Sequence, residues 1–281
     1  MSNMKKLSLF VGILLLMILA TGCSEKTAGS EGSGSMTNSE ITENTENTEN
    51  TENKQETSIP SAESKNMKAS DNTNESTEAP ELFYYGHASI CIVTADNKVI
   101  YIDPYANGDY SRFADLILVT HDHFDHNQTD KVENRNADCE IITQTEALVN
   151  GEYKTFEFPF VTVEAVEAGN NQNHDINECV GYVLTFNNGK SVYISGDTST
   201  TDQMNKLSEK HIDYAFYCCD GVYNMNIDEA SQCAATVGAK HNIPYHNSTS
   251  HTGEMFDREL ADKFNAPNKM IVYPGDSIMI Q

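Results

Sequence analysis

The stretch Val119-Thr120-His121-Asp122-His123-Phe124-Asp125-His126 decides how this chain is read. Its last six residues hold three histidines and two aspartates. They follow the apolar run Leu116-Ile117-Leu118-Val119, which is short, continuous and branched, the pattern of a buried β-strand. A strand that ends in such a cluster delivers its side chains to one edge of a sheet. His121 and His123 are two apart, so an extended backbone projects both to the same side. Asp125 and His126 fall where the chain must turn and approach from a second direction. Imidazole with carboxylate suits zinc, iron or manganese rather than calcium. The bland alternative is a solvated loop rich in His, but nothing structural calls for His-x-His-x-Asp-His at a strand end. The expectation is a metal site.

Two more strand ends carry metal-competent residues. Tyr193-Ile194-Ser195-Gly196-Asp197-Thr198 reads as a strand running into a Gly-Asp turn, and Ile243-Pro244-Tyr245-His246 as a short strand finishing in His. Alone, the first is an ordinary Asp turn and the second a surface or packed His. Together with the first stretch they make coincidence a poor explanation.

Around these ends the chain alternates strand and turn signals. Strands are expected at 82–85, 89–94, 99–102, 114–120, 140–143, 154–158, 161–168, 181–186, 191–195, 212–217, 242–245 and 269–273. Ala95-Asp96-Asn97 and Asn187-Asn188-Gly189 form the tight turns. Helices are expected at 201–210, 228–237 and 253–264, with Asp228 as cap of the second. Meanders followed by mixed strands and helices predict an α+β fold, two mixed sheets packed face to face with helices outside.

The N-terminus reads as an address. Lys5 and Lys6 precede the apolar run Leu7–Ala20, too short for a comfortable span, and the segment ends Ala20-Thr21-Gly22-Cys23. This resembles a bacterial lipoprotein signal over residues 1–22, with Cys23 lipidated; an uncleaved anchor is the alternative. Either places the domain outside the cytoplasm, anchored to the cell membrane. Residues 23–80 read as a linker. It carries four successive Thr-Glu-Asn triplets, Thr42–Asn53, and 12 acidic against 4 basic residues. With few large apolar side chains it cannot offset the entropy of ordering, so it is expected to be a flexible, self-repelling tether.

Residues 81–281 remain as one domain with a substantial core. Of the chain's net charge of −24, the linker accounts for −8 and the signal for +2, leaving −18 here. With only Arg112, Arg135 and Arg258 as arginines, so acidic a domain excludes nucleic acid as partner. Six cysteines follow Cys23, none in Cys-x-x-Cys spacing, which argues against a zinc–thiolate site. Cys91 and Cys218 read as core; for Cys218-Cys219, one is expected inside and the other stays unassigned.

Taken together, Gly86-His87-Ala88-Ser89, Ile102-Asp103-Pro104-Tyr105, His121-x-His123-x-Asp125-His126, Gly196-Asp197-Thr198 and Ile243-Pro244-Tyr245-His246 resemble the metallo-β-lactamase-fold hydrolases. Gly221-Val222-Tyr223-Asn224-Met225 resembles a segment of their ascorbate-6-phosphate-lactonase-like branch. The resemblance implies the αβ/βα four-layer sandwich and one or two divalent metals, zinc or manganese, between the tops of the sheets. It implies His121 and His123 on the first metal, Asp125, His126 and His246 on the second, and Asp197 bridging. For the vacancy at the first metal it leaves Asn170, which matches the branch pattern, or His174, the stronger donor. His87 is implied near the site, or in a core hydrogen bond with Asp103. His211, His241 and His251 read as structural or surface residues.

The chemistry so implied is metal-activated hydroxide attacking a small-molecule lactone, phosphodiester or related ester, with Asp125, Asp197 and His87 as catalytic candidates. A non-catalytic ligand-binding or sensor lipoprotein is the competing reading. Di-iron redox chemistry is a third class, usually accompanied by a flavin domain that is not seen in this sequence.

Overall fold

The computed structural model describes residues 79–281; the signal segment, Cys23 and most of the linker lie outside the described residues. Two six-stranded mixed sheets and a small hairpin make up the β structure. The first sheet contains β1 (Glu81–Gly86), β2 (Ser89–Val93), β3 (Val99–Ile102), β4 (Ala114–Leu118) and β5 (Arg135–Ile142), with β14 (Ser277–Met279) beside β1. A short α1 (Gln144–Ala147) and the hairpin β6 (Leu148–Val149) and β7 (Glu152–Tyr153) lead to the second sheet. That sheet runs β8 (Thr155–Phe158), β9 (Val161–Glu167), β10 (Val180–Phe186), β11 (Ser191–Ile194), β12 (Tyr214–Cys218) and β13 (His241–Tyr245).

Each sheet follows the same plan. β1, β2 and β3 pair antiparallel, then β3, β4 and β5 parallel; β8 to β11 pair antiparallel, then β11, β12 and β13 parallel. In an open parallel arrangement the carboxyl ends of the strands are where loops gather and ligands bind. The segments after β3, β4, β11, β12 and β13 carry Asp103, His121, Asp197, Asp220 and His246.

Alternation assigns the faces. Ile90, Ile92, Ile100, Ile102, Leu116 and Leu118 enter one buried cluster with Val163, Tyr182, Leu184, Val192 and Ile194 of the other sheet. Each such side chain contributes about 1.5–3 kcal/mol through burial. Cys91, Tyr101 and Ile117 point the other way into a smaller cluster covered by Tyr85 and Tyr110. The register shift between Ala114 and Leu116 lets the Asp115 carboxylate accept from the Val99 N–H and from Lys98 Nζ, each within 2.9 Å.

The expected two-sheet sandwich is present, with two of the three expected helices shorter than read. α3 (Ile227–Val237) forms nearly as read, but its cap is Asn226 rather than Asp228, two residues earlier; the Asn226 side chain accepts the Asp228 and Glu229 N–H groups. The helix expected at 201–210 shrinks to α2 (Met204–Leu207) and a 3₁₀ turn, Ser208–Lys210. The one expected at 253–264 reduces to α4 (Arg258–Lys263): Met255 adopts φ +51° and Asp257 caps Leu260 N–H at 2.9 Å. Residues 269–273 make only a bridge from Lys269 to Asn242, and the last strand is β14, beyond Pro274-Gly275. The strand expected at 140–143 is the end of the longer β5. Cys218 and Cys219 are both buried, and all six described cysteines are free.

Candidate metal centre

The β4 tip is fixed by the β3 tip. Asp103 is fully buried and accepts three hydrogen bonds: from Thr120 N at 2.8 Å, Thr120 Oγ1 at 2.7 Å and His126 Nδ1 at 2.9 Å. A carboxylate only accepts, so His126 Nδ1 carries a proton, and Nε2 is the nitrogen left for a metal, which would displace any proton there. With its hydrogen on Asp103, Thr120 Oγ1 accepts from His121 Nδ1 at 3.0 Å, which frees His121 Nε2 in the same way. At the β11 tip Gly196 takes φ +61°, and a Cβ there would meet the Val180 carbonyl oxygen at 2.6 Å. Only glycine lets Asp197 swing into the gap between the sheets.

The donor atoms gather in three overlapping groups, each within 4.8 Å: His121, His123 and His174; His121, His126 and Asp197; His87, Asp125, His126 and His246. Asp197 is the hinge. Its Oδ1 lies 3.5 Å from His126 Nε2, and its Oδ2 lies 3.4 Å from His174 Nε2 and 3.3 Å from His246 Nε2. His121 Nε2 and His123 Nδ1 are 3.1 Å apart. His87 Nε2 reaches Asp125 Oδ2 at 3.2 Å, and the His87 ring stands 3.7 Å from that of His246. His87 is thus the partner of Asp125; Asp103, the other partner considered for it, is engaged with Thr120 and His126.

Of Asn170 and His174, backbone geometry brings His174 into the cluster. A Cβ on Gly169 (φ +87°) would meet the His174 and Asp175 carbonyl oxygens at 2.9 Å, so the missing side chain lets the loop fold back on itself. The Asn171 side chain accepts the N–H groups of Asn173 and His174, closing the turn that presents His174 to the centre. Asn170 takes φ +61° and spends its amide on the Thr200 carbonyl at 2.7 Å, outside the three groups.

Charge is distributed around Asp197. Burial would raise its carboxyl, but His246 and His126 outweigh that and hold it well below the usual range. Burial disfavours charge on His126, yet Asp197 and Asp103 keep it well above its ordinary value, and Asp197 does the same for buried His246. Burial, reinforced by His246, pushes His87 down to about 3, and burial lowers His121 and His174. Asp125 is held low despite burial, chiefly by its bond from His87.

Whether these residues fit a cation is decided by their unpartnered atoms. His126 Nε2, His246 Nε2 and Asp197 Oδ1 are buried and make no hydrogen bond. Orphaned buried donors and acceptors are costly, and here they converge on one space with the imidazole and carboxylate chemistry that divalent metals take. The residues fit.

A second loop ties in from β12. Asn224 Nδ2 donates to Asp197 Oδ2 and to Asp220 Oδ2, both at 2.8 Å, and Asp220 Oδ2 lies 3.7 Å from His246 Nδ1. Asn173 Nδ2 in turn donates to the Tyr223 carbonyl at 3.2 Å. Tyr223 and Asn224 had only the Gly221–Met225 segment as their signal, and Asp220, the residue before it, had none. His251, read as structural or surface, stands at the mouth with Nδ1 3.8 Å from Asp125 Oδ2; a lone His in a loop gives no sequence signal for that.

Two facing mixed sheets whose strand tips share a His/Asp cluster define the metallo-β-lactamase fold, a class of metal-dependent hydrolases. The model of the β-lactamase superfamily domain matches residues 81–246. A UPF0173 metal-dependent hydrolase of Bacillus pumilus is 29% identical over 224 residues, covering 70% of this chain and 98% of that protein. One from Geobacillus thermodenitrificans is 30% identical over 196 residues, 60% of this chain and 86% of its own. A crystal structure from Parabacteroides distasonis is 30% identical with TM-score 0.55, covering 67% of this chain and 90% of that one. The chain belongs to the β-lactamase superfamily domain family and is a metal-dependent hydrolase.

Proposed function

We propose that this hydrolase is tethered to the outer face of the cell membrane through a lipidated Cys23 and residues 24–80. We propose that it cleaves a lactone, phosphodiester or related ester in a small molecule, with one or two zinc or manganese ions. The observation that carries the metal reading is the set of buried, unpartnered atoms His126 Nε2, His246 Nε2 and Asp197 Oδ1. His121, His123 and His174 would hold one position, and Asp125, His126 and His246 the other, with Asp197 between them. His174 gives the first position three imidazoles, the set that favours zinc. Bound divalent metal supplies an acidified water and polarises the substrate oxygen. The chain's own residues do the rest. Asp103 and Thr120 fix the ring tautomers of His126 and His121. Asn224 steers Asp197 through its amide. Asp125, kept ionised and oriented by His87, would orient the attacking water.

The test is metal analysis of the full chain, then turnover of a lactone, ester and phosphodiester panel with and without chelator. Turnover is expected to vanish with chelator and in Asp197→Ala, whose fold is checked by circular dichroism; turnover by metal-free protein would refute the reading. For the address, Cys23→Ala is expected to move the protein from the membrane to the soluble fraction. Mass spectrometry finding residues 1–22 intact on the mature protein would refute it.

A further inference from the structure

The centre opens into a cavity of about 370 Å³ whose walls include Phe124, Tyr223 and His251 beside Asp125, Asp197 and His246. Phe124 is 60% exposed and Tyr223 49%, so two large rings stand in water at the mouth of a polar centre. The Phe124 ring packs against Tyr105 at 5.8 Å and His251 at 5.2 Å. The Tyr223 backbone is held by its N–H on Asp220 Oδ1 at 2.7 Å and its carbonyl on Asn173. Exposed rings at the mouth of a cavity form a platform for a flat apolar or cationic group.

The adjoining cavity, about 500 Å³, runs past His121 and His123 and is lined by Asp122, Asp175 and Glu178. Among the described residues lining the two cavities there is no Lys or Arg. Recognition of phosphate or carboxylate on a substrate relies on such cations, above all arginine. Here the approach is lined with carboxylates instead, which repel an anion and attract a cation.

We infer that the site takes an uncharged or cationic ester or lactone carrying a flat apolar group, seated against Phe124 and Tyr223, and rejects anionic ones. This rests on the hydrolase reading above and concerns the part of the substrate that lies away from the metal positions.

The test uses the metal-loaded full chain and three esters of one acyl group: phenyl acetate, 4-acetoxybenzoate and 4-acetoxyphenyltrimethylammonium. Each kcat/KM is divided by that ester's own hydroxide-catalysed rate, so that leaving-group differences cancel. The neutral and cationic esters are expected to exceed the anionic one at least ten-fold. Phe124→Ala is expected to cut the preference for phenyl acetate over ethyl acetate about ten-fold, and Glu178→Lys to narrow the cation–anion gap. Binding of the matching acetanilides, followed by calorimetry, reads the same order without hydrolysis. Equal or better use of the anionic ester overturns the inference. Silence toward all three esters, with the binding order intact, overturns the ester reading but leaves the subsite; a reversed or flat binding order overturns the subsite.

Discussion

Changing Asp103 to Asn alters one atom of a fully buried side chain and tests the orientation argument directly. The left-handed φ of +45° at Asp103 is one that Asn tolerates as well, so the backbone is not strained by the change. Asn Oδ1 can still accept from Thr120 N, now 2.8 Å from Asp103 Oδ1. The new amide replaces the oxygen that accepts from His126 Nδ1 at 2.9 Å and Thr120 Oγ1 at 2.7 Å. An amide N–H donates, so His126 must accept at Nδ1 and carry its proton on Nε2, the nitrogen that faces Asp197. Thr120 Oγ1, receiving the amide hydrogen, turns its own toward His121 Nδ1 and shifts that ring in the same sense. Loss of one buried charge-assisted hydrogen bond costs about 1.5–3 kcal/mol. Loss of an orienting partner weakens metal binding roughly 10–100-fold, and the change reaches a ring of each proposed position. Chelator-competition titration with zinc, alongside thermal melts, measures the two separately. A variant that melts lower but binds zinc as tightly as the parent refutes the tautomer argument and leaves Asp103 a packing residue.

Three further outcomes follow from the geometry. His174→Ala is expected to lower zinc affinity roughly 10–100-fold, the order of loss known for orienting partners, while Asn170→Ala leaves metal content unchanged; the reverse pattern in metal analysis refutes the assignment. Gly196→Ala is expected to cost roughly 1–3 kcal/mol, since a Cβ there meets the Val180 carbonyl oxygen at 2.6 Å, and to reduce zinc content by displacing Asp197; unchanged zinc content refutes it. Asp213 gives a pH dependence away from the centre: burial would raise its carboxyl, but the Lys240 ammonium and the Ser191 N–H hold it below the usual range. A carboxyl lowered in the folded state stabilises above its unfolded pKa of about 4 and loses that contribution as pH falls through the folded value. Asp213→Asn is therefore expected to melt lower than the parent at pH 7, with the gap closing in melts taken down to pH 3; a gap that stays constant refutes the linkage.

The sheets were legible because their signal is local. Ile100 and Ile102 facing one way and Tyr101 the other is written in the residues themselves, and the strand at 99–102 falls where it was read. Two of the three helices were read too long because the stops lie in conformation rather than periodicity. Met255 in a left-handed turn and the cap at Asp257 leave no trace in a hydrophobic pattern. At the centre, the structure brings together His121, His123, Asp125, His126, Asp197, His246 and His87 from their several strand ends. Tertiary pairing was not legible. That Asp103 serves His126 and Asp125 serves His87 depends on which tips the two sheets bring together. His174 against Asn170 depended on a fold-back at Gly169 that no spacing specifies. Asn224 and His251 reach the site from loops whose course is set only by the finished fold.

The shared plan of the two sheets has a consequence for the denatured chain. The centre draws His87, His121, His123 and His126 from the first half and His174, Asp197 and His246 from the second, so neither half owns a complete coordination set. A cation held there is a removable cross-link between residues as far apart as 87 and 246, closing loops that an unfolded chain cannot hold. Ligand linkage then adds about 2.7 kcal/mol of stability when free metal stands at a hundred times its Kd. The protein would therefore sense metal supply through its lifetime as well as its turnover: in a metal-poor surrounding the two halves part more often, and proteases clear the idle enzyme first.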